Sequence, residues 1–375
     1  MRILHVLGKL DRGGVETWLV QVLRHIDREK YQMDFLVHTT DPGAYDDEVK
    51  TLGAKIIPCL RPSSPALYAK NFFRILKEYG PYDVVHSHVH HYSGYVLMLA
   101  AMAGVKVRVA HSHSDTRSLL ASKAFGRCAY LRSMNLMIRA FANRGLAVST
   151  EAGWDLFSSQ WRARPDKWQL QHLGIDLSKF EVEVNIAQVR GSLGIAPDAF
   201  VIGHVGRFCE VKNHQFLVEI AREVVRTEPR SIFLLVGDGL LRTAIEKKVR
   251  DYDLTEHFIF AGSRSDVSTL MKGAMNVFLF PSLYEGLPVA LLEAQAAGLR
   301  CLISTVISPE ADAVSALITR VSLDQTPQQW SSLLMQLRSS QPPTSLDGVA
   351  SELESRSIVT SKDNLTAFYA KCPTV

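Results

Sequence analysis

The sequence has few cysteines and no long apolar segment. Its 375 residues include five scattered cysteines, and none has the spacing of a metal or redox motif. An odd number of dispersed cysteines is typical of a reducing compartment, so we expect a cytoplasmic protein. The longest apolar run, Val96 to Val105, is shorter than the ~20 residues that cross a bilayer. The first residues, Met1 to Leu7, resemble a strand more than a signal peptide.

Acidic residues are absent between Asp115 and Glu151, where basic and apolar residues alternate instead. A basic, partly apolar helix can lie on an anionic membrane surface, so residues 117–144 are a candidate for peripheral association with the cytoplasmic membrane. The alternative is a helix whose apolar side belongs to the core and whose basic side chains are simply solvated. No helix-turn-helix, zinc or aromatic-platform pattern accompanies this charge, so we expect no nucleic-acid partner. The basic residues are Arg117, Lys123, Arg127, Arg132, Arg139 and Arg144.

The composition, 47% hydrophobic and 21% charged, is that of a globular protein long enough for two domains. Predicted strands alternate with predicted helices along the chain, which indicates parallel sheets wound on both faces. We divide the chain into two Rossmann-like domains and a terminal helix. The predicted ranges are 1–180, 181–355 and 356–375.

Two glutamates follow a predicted buried strand in the second half of the chain. The strand is Asn276–Phe280 and the helix after it is Val289–Ala297. Glu285 therefore occupies the turn outside the carboxyl end of the strand, and Glu293 lies two helical turns later. Ligands bind at that edge of an open α/β sheet. Each carboxylate can accept two hydrogen bonds, which suits it to holding sugar hydroxyl groups.

Two cations follow another predicted strand of the same half. Arg207 comes directly after the strand at residues 199–206, and Lys212 comes just before a predicted helix. A helix N-terminus carries partial positive charge, and two fixed cations beside it make an anion site. An exposed pair of ion-pairing residues is the alternative interpretation, and their position at the strand exit makes the anion site the favoured one.

The segment around Glu285 resembles the E-x-x-x-x-x-x-x-E motif of the family 4 retaining glycosyltransferases, which have the two-domain glycosyltransferase-B fold. The flanking residues Phe280–Ser282, Gly286–Pro288 and Ala297–Gly298 match as well. The resemblance implies two Rossmann-like, doubly wound parallel-sheet domains that face each other across a cleft. The first would be the acceptor-side domain and the second the nucleotide-sugar-binding domain, and members of this fold often return the terminal helix to the first domain. It covers nearly the whole chain and is closest to members of capsular and exopolysaccharide biosynthesis.

The resemblance implies a role for each of these residues. Arg207 and Lys212 would bind the donor diphosphate and stabilise its developing charge. Glu285 would hold hydroxyls of the donor sugar, and Glu293 those of the ribose. It implies retention at the anomeric carbon, with the leaving phosphate accepting the acceptor's proton, and no required cofactor or metal. The other nucleotide-sugar-binding residues that it implies are Gly14, Gly237, Asp238, Arg264, Gly286 and Leu287.

The first domain supplies the acceptor side. The loop after the first strand contains Gly13, Gly14 and Glu16, and glycines there let the backbone approach a ligand at the helix N-terminus. A plain tight turn is the alternative interpretation of the glycines. The family has a Gly-Gly pair at this position of the cleft, and the resemblance implies the same place for Gly13 and Gly14.

Histidines follow two neighbouring strands of the predicted first sheet. Such groups can bind zinc, but no cysteine is nearby and no complete ligand set is evident, so we expect no metal site. The family carries a histidine at the end of the corresponding strand, in contact with the donor sugar. The resemblance implies that this residue is His113, with His111 as the second choice. The histidines of the two groups are His86, His88, His90, His91, His111 and His113.

These observations predict an enzyme of the hexosyltransferase type. We expect it to move a sugar from a nucleotide-diphosphate sugar, with UDP the favoured nucleotide, to a polysaccharide precursor or a lipid-linked acceptor. One alternative is a sugar-nucleotide epimerase of the same fold, which product analysis without an acceptor would distinguish. Another is a non-catalytic, membrane-associated partner, which would fail to bind UDP.

Overall fold

Parallel strands alternate with helices in both halves of the chain. The computed structural model describes residues 1–116, 125–158, 160–339 and 349–372. Its contacts separate two units, the first formed by Met1–Gly174 with Ile358–Val375 and the second by Ile175–Ser357. Each unit contains one parallel sheet with helices in the connections, which confirms the predicted α/β class.

The first unit is organised around a sheet of seven strands within the described residues, in the order β3-β2-β1-β4-β5-β6-β7. Every pairing in it is parallel. The order reverses between β1 and β4, and ligands bind outside the carboxyl ends of the strands at such a switch point. The strands are Arg2–Leu7 (β1), Gln32–Val37 (β2), Ile56–Pro58 (β3), Val84–Ser87 (β4), Val107–Ser112 (β5), Arg144–Ala147 (β6) and Trp168–Leu170 (β7).

Helices connect these strands, as parallel pairing requires. The apolar side of α1 faces inward, with Trp18, Leu19 and Val22 fully buried. The described helices before the second unit are Gly14–His25 (α1), Asp46–Thr51 (α2), Pro65–Tyr79 (α3), Ser93–Met102 (α4), Phe125–Phe141 (α5), Thr150–Phe157 (α6) and Gln160–Ala163 (α7).

The last helix of the chain belongs to the first unit. Its residues Ile358–Ala370 (α16 in chain order) pack against α1. The indole nitrogen of Trp18 donates a buried hydrogen bond of 2.9 Å to the Ser361 hydroxyl. Gln171 Nε2 donates a further one of 3.0 Å to the carbonyl oxygen of Ser361. These bonds fix the terminal helix to the domain that begins the chain.

The second unit contains six described strands in the order β10-β9-β8-β11-β12-β13, all parallel. Here the order reverses between β8 and β11. Apolar residues fill both faces of the central strands, which is the pattern expected where helices cover a parallel sheet on both sides. The strands are Phe200–Val205 (β8), Ser231–Val236 (β9), Phe258–Gly262 (β10), Val277–Phe280 (β11), Arg300–Ser304 (β12) and Ile318–Val321 (β13).

The helices of the second unit place the loops that carry the candidate site. One core joins the long helix after β8 to a helix near the end of the unit, through Leu217, Val224, Trp330 and Leu334. The described helices are Ser178–Glu181 (α8), Ile186–Ser192 (α9), His214–Thr227 (α10), Arg242–Asp251 (α11), Val267–Gly273 (α12), Val289–Ala296 (α13), Pro327–Ser339 (α14) and Val349–Glu354 (α15).

Two short strands went unpredicted because their sequence signal is weak. Trp168–Leu170 forms β7, an edge strand of the first sheet beside β6. Ile318–Val321 forms β13, an edge strand of the second sheet beside β12. Edge strands are short and only half covered, so their side chains lack the clear apolar pattern of central strands.

The basic stretch is only partly described. Arg117 and Lys123 lie outside the described residues. On α5, Leu131, Met134 and Ile138 are buried, while Leu136 is 66% exposed. Among the described residues, no helix has the length and apolar character needed to span a membrane.

Candidate active site

Four loops at the carboxyl edge of the second sheet form the candidate site. They follow β8, β9, β10 and β11. The switch point of the sheet lies between β8 and β11, and β9 is the next strand beyond β8. Gly237 has φ of +139°, and a Cβ at this position would lie 2.1 Å from the carbonyl oxygen of Gly206. Only glycine fits there. The loop after β9 therefore packs directly on the loop after β8.

Lys212 and Glu285 form an ion pair at this edge. The Nζ atom of Lys212 lies 2.5 Å from Oε1 of Glu285, and both side chains are largely covered, with 16% and 12% of their surface exposed. The same ammonium lies 4.5 Å from the centre of the Phe280 ring. The aliphatic part of Lys212 passes over Gly206, where a Cβ would come within 3.2 Å of it. Two residues 73 positions apart are thus held in one place.

Backbone contacts hold the two loops that carry this pair. The amide of Leu283 donates to the carbonyl oxygen of Val211 at 2.8 Å. The side-chain amide of Asn213 donates to the carbonyl oxygen of Pro281 at 3.1 Å. Asn213 has a left-handed backbone with φ of +53°, a conformation that asparagine tolerates better than most residues. This residue directly precedes α10, so the turn also sets the position of the helix N-terminus.

Two buried histidines lie beneath the ion pair. His204 Nδ1 donates to the carbonyl oxygen of Leu279 at 2.9 Å, and the ring centres of His204 and His214 are 4.8 Å apart. Burial, followed by the nearby Lys212 charge, lowers the pKa of His214 to about 4. Burial also lowers the pKa of His204 well below its usual value. Both rings are neutral at physiological pH, so the positive charge here belongs to Lys212 and Arg207.

Arg207 differs from Lys212 in having an exposed side chain. Within the described ranges, no hydrogen bond or ion pair engages its guanidinium. It belongs to the same loop as Lys212, where the amide of Cys209 donates to its carbonyl oxygen at 2.8 Å. An uncommitted guanidinium, an ammonium and the N-terminus of α10 together form a site suited to a diphosphate.

Glu293 lies on α13, two turns after Glu285. Burial raises the pKa of its carboxyl group from 4.5 to about 7, although the charge of Lys179 acts in the opposite direction. In the part of the chain that the structure describes, no hydrogen bond or ion pair joins Glu293 to the other three predicted residues. The structure thus brings Lys212 and Glu285 into contact and places Arg207 in the same loop as Lys212.

The other predicted residues of this unit lie on the neighbouring loops. Oδ1 of Asp238 accepts from the amide of Gly239 at 2.7 Å, and Oδ2 accepts from Arg242 at 3.1 Å. Arg264, after β10, donates twice to Asp266, at 2.8 and 2.6 Å. Gly286 and Leu287 are buried in the turn that carries Glu285. These two residues therefore offer backbone groups and packing rather than a polar side chain.

The first unit holds the acceptor-side predictions. Gly13 precedes α1 with an extended backbone, φ −128° and ψ 164°, and no side chain caps the first amides of this helix. Gly14 is exposed, and Glu16 lies in the first turn of α1, half-buried. The first amides of this helix therefore receive no side-chain cap.

His111 and His113 belong to a cluster of five histidines at the ends of β1, β4 and β5. His5 Nδ1 lies 2.9 Å from His88 Nε2, and His88 Nδ1 lies 2.8 Å from His113 Nε2. His111 is fully buried and its Nδ1 is 3.2 Å from His86 Nε2. His113 is only half-buried. Its greater exposure favours His113 over His111 for contact with a ligand.

Burial keeps these rings neutral. It lowers the pKa of His5 and of His113 to about 3. The participation of His5 was not predicted, because a single histidine within an apolar strand gives no signal of its neighbours. Only the parallel pairing of β1 with β4, which sets His5 opposite His86, places it in the cluster.

Solved structures share this architecture. The crystal structure of Anabaena Alr3699/HepE in complex with UDP and glucose matches with a TM-score of 0.81 and 17% identity, over 99% of this chain and 100% of that one. The two doubly wound units therefore have the glycosyltransferase-B fold, as predicted.

Sequence comparisons identify the family. Glycosyltransferase Family 4 matches residues 12–179, and Glycosyl transferases group 1 matches residues 185–346. EpsF of Bacillus subtilis (strain 168), assigned as a glycosyltransferase, is 38% identical over 339 residues, covering 88% of this chain and 85% of EpsF. The UDP-Gal:alpha-D-GlcNAc-diphosphoundecaprenol alpha-1,3-galactosyltransferase of Escherichia coli is 27% identical over 316 residues, covering 82% and 80%. The chain belongs to the family 4 glycosyltransferases and is a hexosyltransferase-type enzyme.

Proposed function

We propose that this enzyme transfers a sugar, with retention of anomeric configuration, from a UDP-sugar to a lipid-linked or polysaccharide-precursor acceptor. The observation that carries the proposal is the Lys212–Glu285 pair beside the exposed Arg207. The E. coli relative is named for a UDP-sugar donor and a diphosphoundecaprenol-linked acceptor, and a solved structure of the same fold is a complex with UDP and glucose. Both support a UDP-sugar donor, and the E. coli relative also supports a lipid-linked acceptor.

Charge neutralisation of the leaving diphosphate is the proposed source of catalysis. Arg207 and Lys212 would bind the phosphate oxygens together with the amides at the start of α10. When the donor is bound, the Lys212 ammonium would donate hydrogen bonds both to Glu285 and to a phosphate oxygen. Glu285 keeps a second carboxylate oxygen for hydroxyls of the donor sugar, and Glu293 would accept hydrogen bonds from the ribose. The loops with Gly237, Asp238, Arg264, Gly286 and Leu287 would complete the nucleotide-sugar site.

Retention follows in this proposal from the state of Glu285. A carboxylate 2.5 Å from an ammonium is a weak nucleophile, because its negative charge is already stabilised. A covalent intermediate on Glu285 is therefore disfavoured. The leaving phosphate would instead accept the proton of the acceptor hydroxyl, which enters on the same face of the sugar. No metal or other cofactor has a role in this transfer.

The acceptor would bind at the first unit. Gly13, Gly14 and Glu16 would receive the acceptor at the start of α1, and His113 would contact the donor sugar, with His111 behind it. We further propose a cytoplasmic enzyme that associates with the anionic membrane surface through residues 117–144, where the described part exposes Leu136 and Arg132. This location would bring a lipid-linked acceptor within reach.

Purified full-length enzyme is tested with a set of UDP-sugars and a bacterial lipid extract. UDP release and the anomeric configuration of the product are measured. Lys212→Ala should lower kcat by roughly 100-fold to 1,000-fold, the usual effect of removing one charge-stabilising group. The matched control is Lys248→Ala, because Lys248 forms a comparable ion pair with Glu219, at 2.6 Å, in the same unit.

Near-normal turnover of Lys212→Ala would refute the proposal that Lys212 binds the donor diphosphate. An inverted product would refute the retaining mechanism and leave the donor site in place. A sugar nucleotide converted into its epimer without an acceptor would identify an epimerase instead.

A further inference from the structure

A second group of ligand-type side chains lies beside the five-histidine cluster, where His90 Nε2 is 3.4 Å from the carbonyl oxygen of Ser114. His90 and His91 form a 3-10 turn between β4 and α4, and Asp155 lies on α6. One nitrogen of each ring and one carboxylate oxygen lie within 4.8 Å of one another. Two imidazoles and one carboxylate form a ligand set that divalent transition metals commonly bind.

His91 offers a nitrogen lone pair with no partner. Its Nδ1 lies 2.7 Å from Oδ1 of Asn135, which only accepts hydrogen bonds, so Nδ1 carries the proton. The Nε2 atom is therefore unprotonated, and it is buried without a hydrogen-bond partner in the described residues. His91 itself is 8% exposed. A histidine whose second nitrogen donates to a fixed oxygen is the arrangement typical of metal ligands.

Asp155 supplies negative charge at the same place. Its side chain is 2% exposed, and its Oδ2 accepts from the amide and the hydroxyl of Thr116, both at 2.8 Å. A carboxylate at this position can balance part of the charge of a divalent cation.

His90 completes the group. Its Nε2 lies 3.2 Å from Oδ2 of Asp155, and its backbone has φ of +51°. Non-glycine residues in this left-handed region are uncommon and cluster at functional sites. Coordination would replace the His90–Asp155 hydrogen bond, while the proton on His90 moves to Nδ1, so no proton has to leave the ring.

The five-histidine cluster is a weaker candidate for a metal. Four of its ring nitrogens already bond to one another through the His5–His88–His113 chain, and it contains no carboxylate to balance a cation. From these contacts we propose that His90, His91 and Asp155 bind one divalent transition metal ion of the Zn²⁺ class. The ion would join the turn after β4 to α6 and thereby stabilise the first unit, apart from the transfer reaction.

The test measures metal binding directly. Full-length enzyme is stripped with a chelator and dialysed against Co²⁺, and bound metal is measured by elemental analysis together with visible d–d absorption. We expect one Co²⁺ per chain, displaced by Zn²⁺, and an unfolding midpoint that rises with metal concentration. His91→Ala and Asp155→Asn should abolish the absorption. His25→Gln, on the exposed end of α1, is the control and should bind as the parent does.

A second pair of variants avoids the buried ligands. Asn135→Ala removes the oxygen that fixes the His91 ring and should weaken Co²⁺ binding by roughly 10-fold to 100-fold. Asn135→Asp keeps an acceptor at that position and should bind like the parent. Folded parent protein that binds no Co²⁺ would overturn the proposal. Binding that survives His91→Ala and is lost in His88→Ala would do so as well, because it would place the metal in the five-histidine cluster.

Discussion

The ionisation of Glu293 gives a prediction that the structure makes quantitative. Burial raises the pKa of this carboxyl group from 4.5 to about 7. Between these values the folded chain keeps a proton that the unfolded chain has released. The free energy of unfolding therefore falls as the pH rises from 4.5 to 7 and then stays low. One pKa unit is worth about 1.4 kcal/mol, so the full loss above pH 8 is roughly 3 kcal/mol.

Glu293→Gln removes this charge and keeps the shape of the side chain. The variant should be more stable than the parent by up to about 3 kcal/mol at pH 8 and little different at pH 5. Thermal unfolding at the two pH values measures the difference. Glu256→Gln, at an exposed position of the same unit, is the matched control for a Glu-to-Gln change outside the candidate site. A Glu293→Gln variant whose stability relative to the parent is the same at both pH values would refute the reasoning.

The same variant tests the proposed role in donor binding. An ionised carboxylate accepts hydrogen bonds from ribose hydroxyls better than a neutral amide, so calorimetry at pH 8 should show UDP affinity at least 10-fold weaker in Glu293→Gln. In the parent, UDP affinity should decrease as the pH falls from 8 to 5.5, because Glu293 becomes protonated. Equal UDP affinities in the two proteins at pH 8 would mean that Glu293 does not bind the nucleotide. The predicted effect of Glu293 on stability would not be affected by that result.

Three further perturbations address the fold and the membrane. Gly237→Ala should destabilise the protein by about 2–4 kcal/mol in thermal unfolding, because the added methyl group meets a backbone oxygen at positive φ; an unchanged midpoint would contradict the packing of the two loops. Ser361→Ala should cost about 1–2 kcal/mol, since the Trp18 indole loses its buried acceptor, and a cost near zero would argue against that bond. Leu136→Asp combined with Arg132→Glu should reduce sedimentation with anionic vesicles several-fold, whereas binding equal to the parent would exclude α5 from the membrane contact.

The sequence was most informative where the hydrophobic pattern and the residue types of one segment indicate the same element. A buried strand, a turn with Glu285 and a helix were predicted in this order, and Val277–Phe280 and Val289–Ala296 confirm the strand and the helix. The alternation of strands and helices was sufficient to predict two parallel sheets. These features depend on neighbours in the chain, which is why they can be recognised without coordinates.

The tertiary structure decided which distant residues meet. Lys212 and Glu285 were predicted to bind different parts of one ligand, and only the backbone contacts between their loops show that they pair. His5 joins the histidine cluster only because β1 pairs with β4, and Asp155 reaches His90 only because α6 packs beside the turn after β4. A sequence records the identity and order of such residues, but their distances depend on strand order and packing, which no local pattern encodes.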